Sequence, residues 1–290
     1  KLAWLYALVG LAGLAVVAVA GSTDYGAKLK LNLGPVSIQP SEFIKIIFVF
    51  FCGAMLVKST EFIHVVKTTI IAALHVLILV ISRDLGGALI FLITYLAILY
   101  VATRQPGYLV LGLGSGAVAS VAAYFLFSHV RTRVIAWENP LSVIDNEGYQ
   151  ISQSLFAIGT GGWFGSGLYQ GMPQKIPVVT KDFVFAAISE EMGGFFALCL
   201  IFVCISCLLM FFNIAMQMKD LFYKLVALGL ATLYGTQVFL TLGGVTKFIP
   251  STGVTLPLVS YGGSSLLASM ILFAIIQGLY VLHVNEGELY

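Results

Sequence analysis

Long apolar runs separated by short polar breaks dominate this chain. A helix needs about 20 apolar residues to cross the hydrocarbon core of a bilayer. By that rule eight runs read as spans: Leu2–Gly21, Glu42–Val57, Val65–Ser82, Leu85–Thr103, Tyr108–His129, Phe183–Phe212, Leu221–Leu242 and Ser264–His283. Only Arg83-Asp84 separates the third from the fourth, so the two form either a tight hairpin or one broken helix. The runs are continuous and do not alternate, which excludes a β-barrel. The expected fold class is all-α: a polytopic transmembrane helix bundle, a single integral-membrane domain over residues 1–290. A large extracellular loop, residues 130–182, lies between the fifth and sixth spans.

Loop charges orient the bundle. Lys1, Lys58, Lys67, Arg104, Lys219 and Lys224 lie on the side of the termini, against Lys28, Lys30, Arg83 and Lys247 on the other. The positive-inside rule then puts both termini in the cytoplasm and the long loop outside. Leu2–Ala20 has no small-residue cleavage site and reads as a retained span, not a signal peptide. The start without Met suggests a fragment or a processed N-terminus.

Composition narrows the class further. Of 290 residues, 59% are hydrophobic and 10% charged, against roughly a quarter charged in a soluble domain. A soluble enzyme, a nucleic-acid binder and a disordered chain are excluded. The net charge of +2 implies no electrostatic partner. Cys52, Cys199, Cys204 and Cys207 sit inside apolar runs and read as small lipid- or core-facing residues. His75 is mid-span with no acid nearby, and reads as a packing residue.

The scarce polar motifs concentrate in the connections after spans one, three, five and seven, on one face of the membrane. Ionisable groups near a bilayer are costly and tend to mark function. Glu42 and Lys45 share a helix face, either as a salt bridge behind a Ser41 N-cap or as an ion pair lining a polar cavity. Arg131 and Arg133 are interfacial anchors or a phosphate grip. Asp182 is a first-turn acid or the floor of an outer vestibule. Glu190 and Glu191, deeper in the same helix, need polar partners. The long loop holds Trp137, Trp163 and three prolines. Its apolar stretch Ile151–Ile158, a short amphipathic or re-entrant helix, leads to Gly159, Gly161, Gly162, Gly165 and Gly167. No nucleotide loop, zinc spacing or nucleophile elbow is present.

Taken in order, five motifs resemble the SEDS family, the FtsW/RodA group of bacterial cell-wall polymerases. They are Asn32-Leu33-Gly34-Pro35 with Gln39-Pro40-Ser41-Glu42-Phe43-Ile44-Lys45, then Arg83-Asp84-Leu85-Gly86-Gly87, then Gly148-Tyr149-Gln150 through Gln153-Ser154 to Gly165-Ser166-Gly167. Asp182-Phe183-Val184-Phe185-Ala186 with Glu190-Glu191-Met192-Gly193, and Leu256-Pro257-Leu258-Val259-Ser260-Tyr261-Gly262-Gly263-Ser264, complete the set. Leu29-Lys30 replaces the family's usual Arg-Trp, and Thr180-Lys181 its His-Thr. The family usually has ten spans, so two N-terminal helices are missing by this reading.

The resemblance implies a peptidoglycan glycosyltransferase that polymerises lipid II in elongation, division or sporulation. A lipid II flippase is the alternative and a non-catalytic scaffold the third. Asp182 is then the catalytic residue. Glu42, Lys45, Arg131, Arg133, Gln153, Gly161, Gly162, Ser260, Tyr261 and Gly262 contact substrate or pyrophosphate. A divalent cation, Mg or Mn, is the expected cofactor. The expected partners are lipid II, membrane lipid and a class B penicillin-binding protein, and the expected location is the bacterial cytoplasmic membrane.

Overall fold

Pro40 opens the second helix, where its missing N–H costs nothing. The computed structural model describes residues 2–24, 27–34 and 36–288. Lys1 and Pro35, used above in the charge balance and the first motif, lie outside the described residues. The helices are α1 (Ala3–Ala20), α2 (Pro40–Leu56), α3 (Phe62–Ile81), α4 (Leu85–Thr103), α5 (Pro106–Leu126), α6 (Ser128–Glu138), α7 (Tyr149–Gly161), α8 (Val184–Gln217), α9 (Leu221–Val245) and α10 (Gly263–Glu288). All eight expected spans are therefore helices. Among the described residues seven are long and apolar enough to cross a membrane; α2, with 17 residues, is the shorter one. The long loop contains α6 and α7, the second where Ile151–Ile158 predicts a helix.

The described residues fall into two structural units. One comprises Lys1–Gly116, Leu208–Thr236 and Gly263–Tyr290; the other comprises Ala117–Cys207 and Gln237–Gly262. In the first unit α2 packs against α1, α3, α4 and α10. Enclosure on several sides explains why it is apolar around most of its circumference. Phe48, Phe51 and Phe91 surround the buried ring of His75, whose Nδ1 lies 2.9 Å from the Ile71 carbonyl. α3 buries Val65, Ala72 and Leu79 and exposes Ile63, Val66, Ile70, Leu74, Leu77 and Ile81. That exposed set repeats at helical spacing, the signature of a lipid-facing stripe. α3 and α4 pack together as a hairpin. Arg83 turns the chain at φ 65° and Asp84 caps α4, accepting the Gly87 N–H at 2.8 Å.

Two details differ from the sequence reading. Gln39, not Ser41, occupies the N-cap of α2, and its N–H donates to Ser264 Oγ at 3.0 Å. A small antiparallel sheet, β1 (Ser22–Asp24), β2 (Ala27–Leu33) and β3 (Val36–Ile38), also interrupts the helical fold. The alternation Lys28-Leu29-Lys30-Leu31-Asn32-Leu33 is the period-two signal for β2. It is short and sits in what reads as a connection between spans.

In the second unit Phe183, Phe185 and Ala186 at the start of α8 pack with Ala136, Ile151, Ala157, Ile176 and Val245. Two side chains tie α6 and α7 to the end of α9. Trp137 Nε1 donates to the Lys247 carbonyl at 3.1 Å and Ser154 Oγ to that of Val245 at 3.0 Å. α8 breaks at Gly193, with φ 84° and ψ 172°. The glycine-rich loop after α7 satisfies the freed backbone. Ser166 N–H donates to Glu190 O and Gly167 N–H to Glu191 O, while Gly194 N–H donates to Gly162 O. A broken helix is tolerated at membrane depth only when its polar groups are re-paired in this way.

Candidate active site

Three segments of the second unit converge on Asp182. It lies in the turn just before α8, with Lys181 beside it. Arg133 projects from α6 and is fixed by an Nη1 bond to the Ser251 carbonyl at 3.2 Å. Gly253, in the connection after α9, has φ 73°. A Cβ at Gly253 would sit 3.4 Å from Arg133 Nη2 and 3.9 Å from Asp182 Oδ2. Those are ordinary contact distances, so the left-handed backbone, and not crowding, is what favours glycine here. Next to it, the buried Thr252 Oγ1 has no hydrogen-bond partner.

The segment carrying Asp182 is strapped from behind. Tyr261 N–H donates to Thr180 O at 2.7 Å. Ser260 Oγ donates to Lys181 O and accepts the Leu256 N–H, the latter at 2.8 Å. The closing motif thus grips the backbone of the two residues before Asp182. Val178 and Leu258, at φ 58° and 63°, mark tight turns on either side of the strap. A β-branched residue in that region is strained, and such strain clusters at functional sites.

Burial pushes the Asp182 carboxyl up to about 6, from an ordinary value of 3.8. Its own backbone N–H, then Arg133 and Lys181, pull the other way without restoring it. The result is a carboxyl group that titrates about one unit below neutral pH, with Arg133 and Lys181 beside it. Such a group can take a proton from a hydroxyl, while the cations face an anion that develops beside it.

The other sequence-predicted residues are distributed as follows. Arg131 lies over the Tyr124 ring, 5.7 Å from its centroid, and donates to the Phe125 carbonyl at 3.4 Å. Gln153 lines a cavity of about 430 Å³ with Lys175 and Glu190. Gly161 packs directly on the Ser189 carbonyl, and Gly162, at φ 54°, offers its carbonyl to Gly194. Both glycines thereby let the loop sit against the break in α8. The Tyr261 side chain is exposed, and Gly262 closes the second unit. Glu42 and Lys45 belong to the first unit, where Lys45 Nζ is paired with Glu42 Oε2 at 2.7 Å although Lys45 is only 5% exposed. Sequence reasoning missed Gly253, and it treated Lys181 only as a departure from a pattern. A glycine in a connection carries no periodic signal, and the convergence of α6 with the 246–262 connection is a tertiary fact.

No group of three His, Cys, Asp or Glu side chains that could hold a metal ion occurs among the described residues. The Asp182 site has one carboxylate and two cationic neighbours, a donor set that does not build a resident metal cage.

The chain resembles several known proteins. Peptidoglycan glycosyltransferase RodA of Mycobacterium tuberculosis is 39% identical over 293 residues, covering 93% of this chain and 62% of that protein. The chain thus spans about three fifths of the length of this relative. Stage V sporulation protein E of Bacillus subtilis is 34% identical over 258 residues, 85% of this chain and 69% of the relative. Among solved structures, a chain from a peptidoglycan synthase complex that coordinates polymerization and crosslinking superposes with TM-score 0.81 at 26% identity. It covers 98% of this chain and 81% of its own length. The crystal structure of the rod shape determining protein RodA of Thermus thermophilus gives TM-score 0.70 at 26% identity, covering 98% and 78%. The FTSW_RODA_SPOVE family of cell cycle proteins matches residues 1–283, and with seven helices among the described residues long and apolar enough to cross a membrane this chain is a multi-pass membrane protein belonging to that family.

Proposed function

We propose that the protein is a peptidoglycan glycosyltransferase that polymerises lipid II at the outer face of a bacterial cytoplasmic membrane, with the termini of this chain on the inner side. The observation that carries this reading is the buried Asp182 carboxyl, raised to about 6 beside Arg133 and Lys181. The names of the RodA relatives supply the reaction class.

In this mechanism Asp182 accepts the proton of the acceptor sugar's 4-hydroxyl as its oxygen attacks the anomeric carbon of the donor. The new glycosidic bond forms as the bond from that carbon to the pyrophosphate oxygen breaks. Undecaprenyl pyrophosphate leaves with the electron pair, and Arg133 and Lys181 face its negative charge. A base near neutrality is well matched to the task, because it is ionised at working pH yet still basic. Glu42 neutralises Lys45, so that pair supports structure more than free charge. Any divalent cation arrives on the pyrophosphate, and no step here depends on it. A class B penicillin-binding protein is the proposed partner, supported by the likeness to a synthase complex that also crosslinks.

Reconstitution in liposomes with fluorescent lipid II tests the reading against the flippase. Polymer on a gel without transbilayer exchange of the probe supports the polymerase. Exchange without polymer contradicts it.

A further inference from the structure

The second unit holds a polar pair that the chemistry above does not use. Gln237 and Thr241 lie four apart on α9, so they share one face of that helix. Both are buried, at 1% and 3% exposure, inside a helix long and apolar enough to cross a membrane. A buried amide in such a helix is costly unless a partner takes its hydrogens. The partners are two consecutive carbonyls of the connection after α9. Gln237 Nε2 donates to Thr255 O at 2.9 Å, and Thr241 Oγ1 donates to Val254 O at 3.0 Å. Thr241 Oγ1 also lies 2.9 Å from Gln237 O, so its one proton is shared between the helix and the connection.

That connection reaches each charged member of the Asp182 site. The Ser251 carbonyl holds Arg133 Nη1 at 3.2 Å. A Cβ added at Gly253 would touch both Arg133 and Asp182. Leu256 N–H donates to Ser260 Oγ, which grips the Lys181 carbonyl. Val254 and Thr255 sit in the middle of this run. Residues 251–256 form neither helix nor strand, so no repeating backbone ladder fixes their path. Their carbonyls need donors from elsewhere, and α9 supplies two of them.

We propose that Gln237 and Thr241 are positioning residues: by holding the Val254 and Thr255 carbonyls they set where Ser251 presents its own, and so where the Arg133 guanidinium stands relative to Asp182. Neither side chain touches the reacting atoms. Losing either donor frees a carbonyl and lets the run shift. A misplacement of about 1 Å, even from a change far from the chemistry, can cost about 100-fold in rate. The effect on rate rests on the polymerase reading; the coupling of α9 to Arg133 rests on the bonds alone.

The test is Thr241→Val, which keeps the side-chain shape and removes the donor, with Gln237→Met as the second variant. Two readouts are taken on the purified protein. One is steady-state polymerisation of lipid II; the other is infrared titration of the Asp182 carboxyl, isolated by subtracting Asp182→Asn. Arg133 on α6 and Lys181 on its own segment are the charged groups that act on this carboxyl. In each variant kcat falls by about tenfold or more with KM unchanged. The carboxyl midpoint rises above about 6, because Arg133 is less well placed to lower it. Thr241→Ser keeps the hydroxyl and restores both values. In an Arg133→Gln background, Thr241→Val adds no further rise. A lower melting temperature with an unmoved midpoint overturns the proposal. So does a further rise in the Arg133→Gln background, or a Thr241→Ser protein that behaves like Thr241→Val. If neither variant folds, the pair serves folding and the proposal falls. A wild type whose midpoint responds to these changes but that makes no polymer overturns the polymerase reading and leaves the positioning standing. Polymer with unmoved midpoints does the reverse.

Discussion

Arg133 and Asp182 converge on a single backbone position, Gly253, where an added Cβ would lie within 4 Å of both side chains. The left-handed backbone at φ 73° explains a residue with no side chain at the centre of a polar site. Gly253→Ala places a methyl against the Arg133 guanidinium and forces a non-glycine residue to φ 73°. The backbone alone costs about 1–2 kcal/mol, and displacing the catalytic geometry costs more in rate than in stability. The expected outcome is a slightly lower melting temperature and polymerisation reduced by about tenfold or more. Wild-type rate in a folded Gly253→Ala protein would separate the position from the chemistry.

The Asp182 carboxyl, at about 6, sets a pH profile. Its base form is required, so the polymerisation rate rises with pH through about 6 and levels off above. Arg133 lowers that value, so Arg133→Gln moves the midpoint upward and lowers the rate at neutral pH. A midpoint that moves downward contradicts the assigned charge relation.

The same carboxyl links pH to stability. Its folded value lies above its ordinary value of 3.8, so the folded protein favours the neutral form. That contribution is complete at acid pH and is lost as pH rises through about 6. Relative to Asp182→Asn, which does not titrate, the wild type loses on the order of 2 kcal/mol between pH 4 and pH 7. Thermal melts of both proteins across that range check the sign.

Ser260→Ala removes the strap on Lys181 and leaves the Leu256 N–H without its acceptor. The loss is about 1–3 kcal/mol of stability. Polymerisation falls as well, because the segment presenting Asp182 is no longer held.

Gly193→Ala tests the helix break. A Cβ there would clash with the Gly165 backbone nitrogen, at a φ of 84°. Strain and overpacking together cost about 2–5 kcal/mol. The variant is expected to accumulate poorly in membranes and to melt well below the wild type.

Much of this was legible in the residues. Continuous apolar runs located eight helices, seven of them, among the described residues, long and apolar enough to cross a membrane, because a bilayer demands lengths that no soluble fold needs. The Asp182 motif and the clustering of polar motifs in alternate connections pointed to the site. Other features had no local signal. The break at Gly193 lies inside an apolar run, and Met192-Gly193-Gly194 looks like ordinary small-residue packing until the loop that bonds to it is placed. Arg131 and Arg133 are two apart and indistinguishable as sequence, yet a helix sends them in different directions. Arg133 meets Asp182, and Arg131 meets Tyr124. Ser260 and Tyr261 read as substrate contacts, whereas their observed bonds go to the backbone before Asp182.

The central claim is that Asp182 performs the chemistry, and polymerisation of purified lipid II by the wild type and by Asp182→Asn tests it most directly. The amide keeps the size of the side chain and cannot accept the proton. The wild type should produce glycan strands, and the folded Asp182→Asn protein should lose at least about 100-fold in rate, the scale of a general base. Glycan strands formed by Asp182→Asn at the wild-type rate would contradict the account.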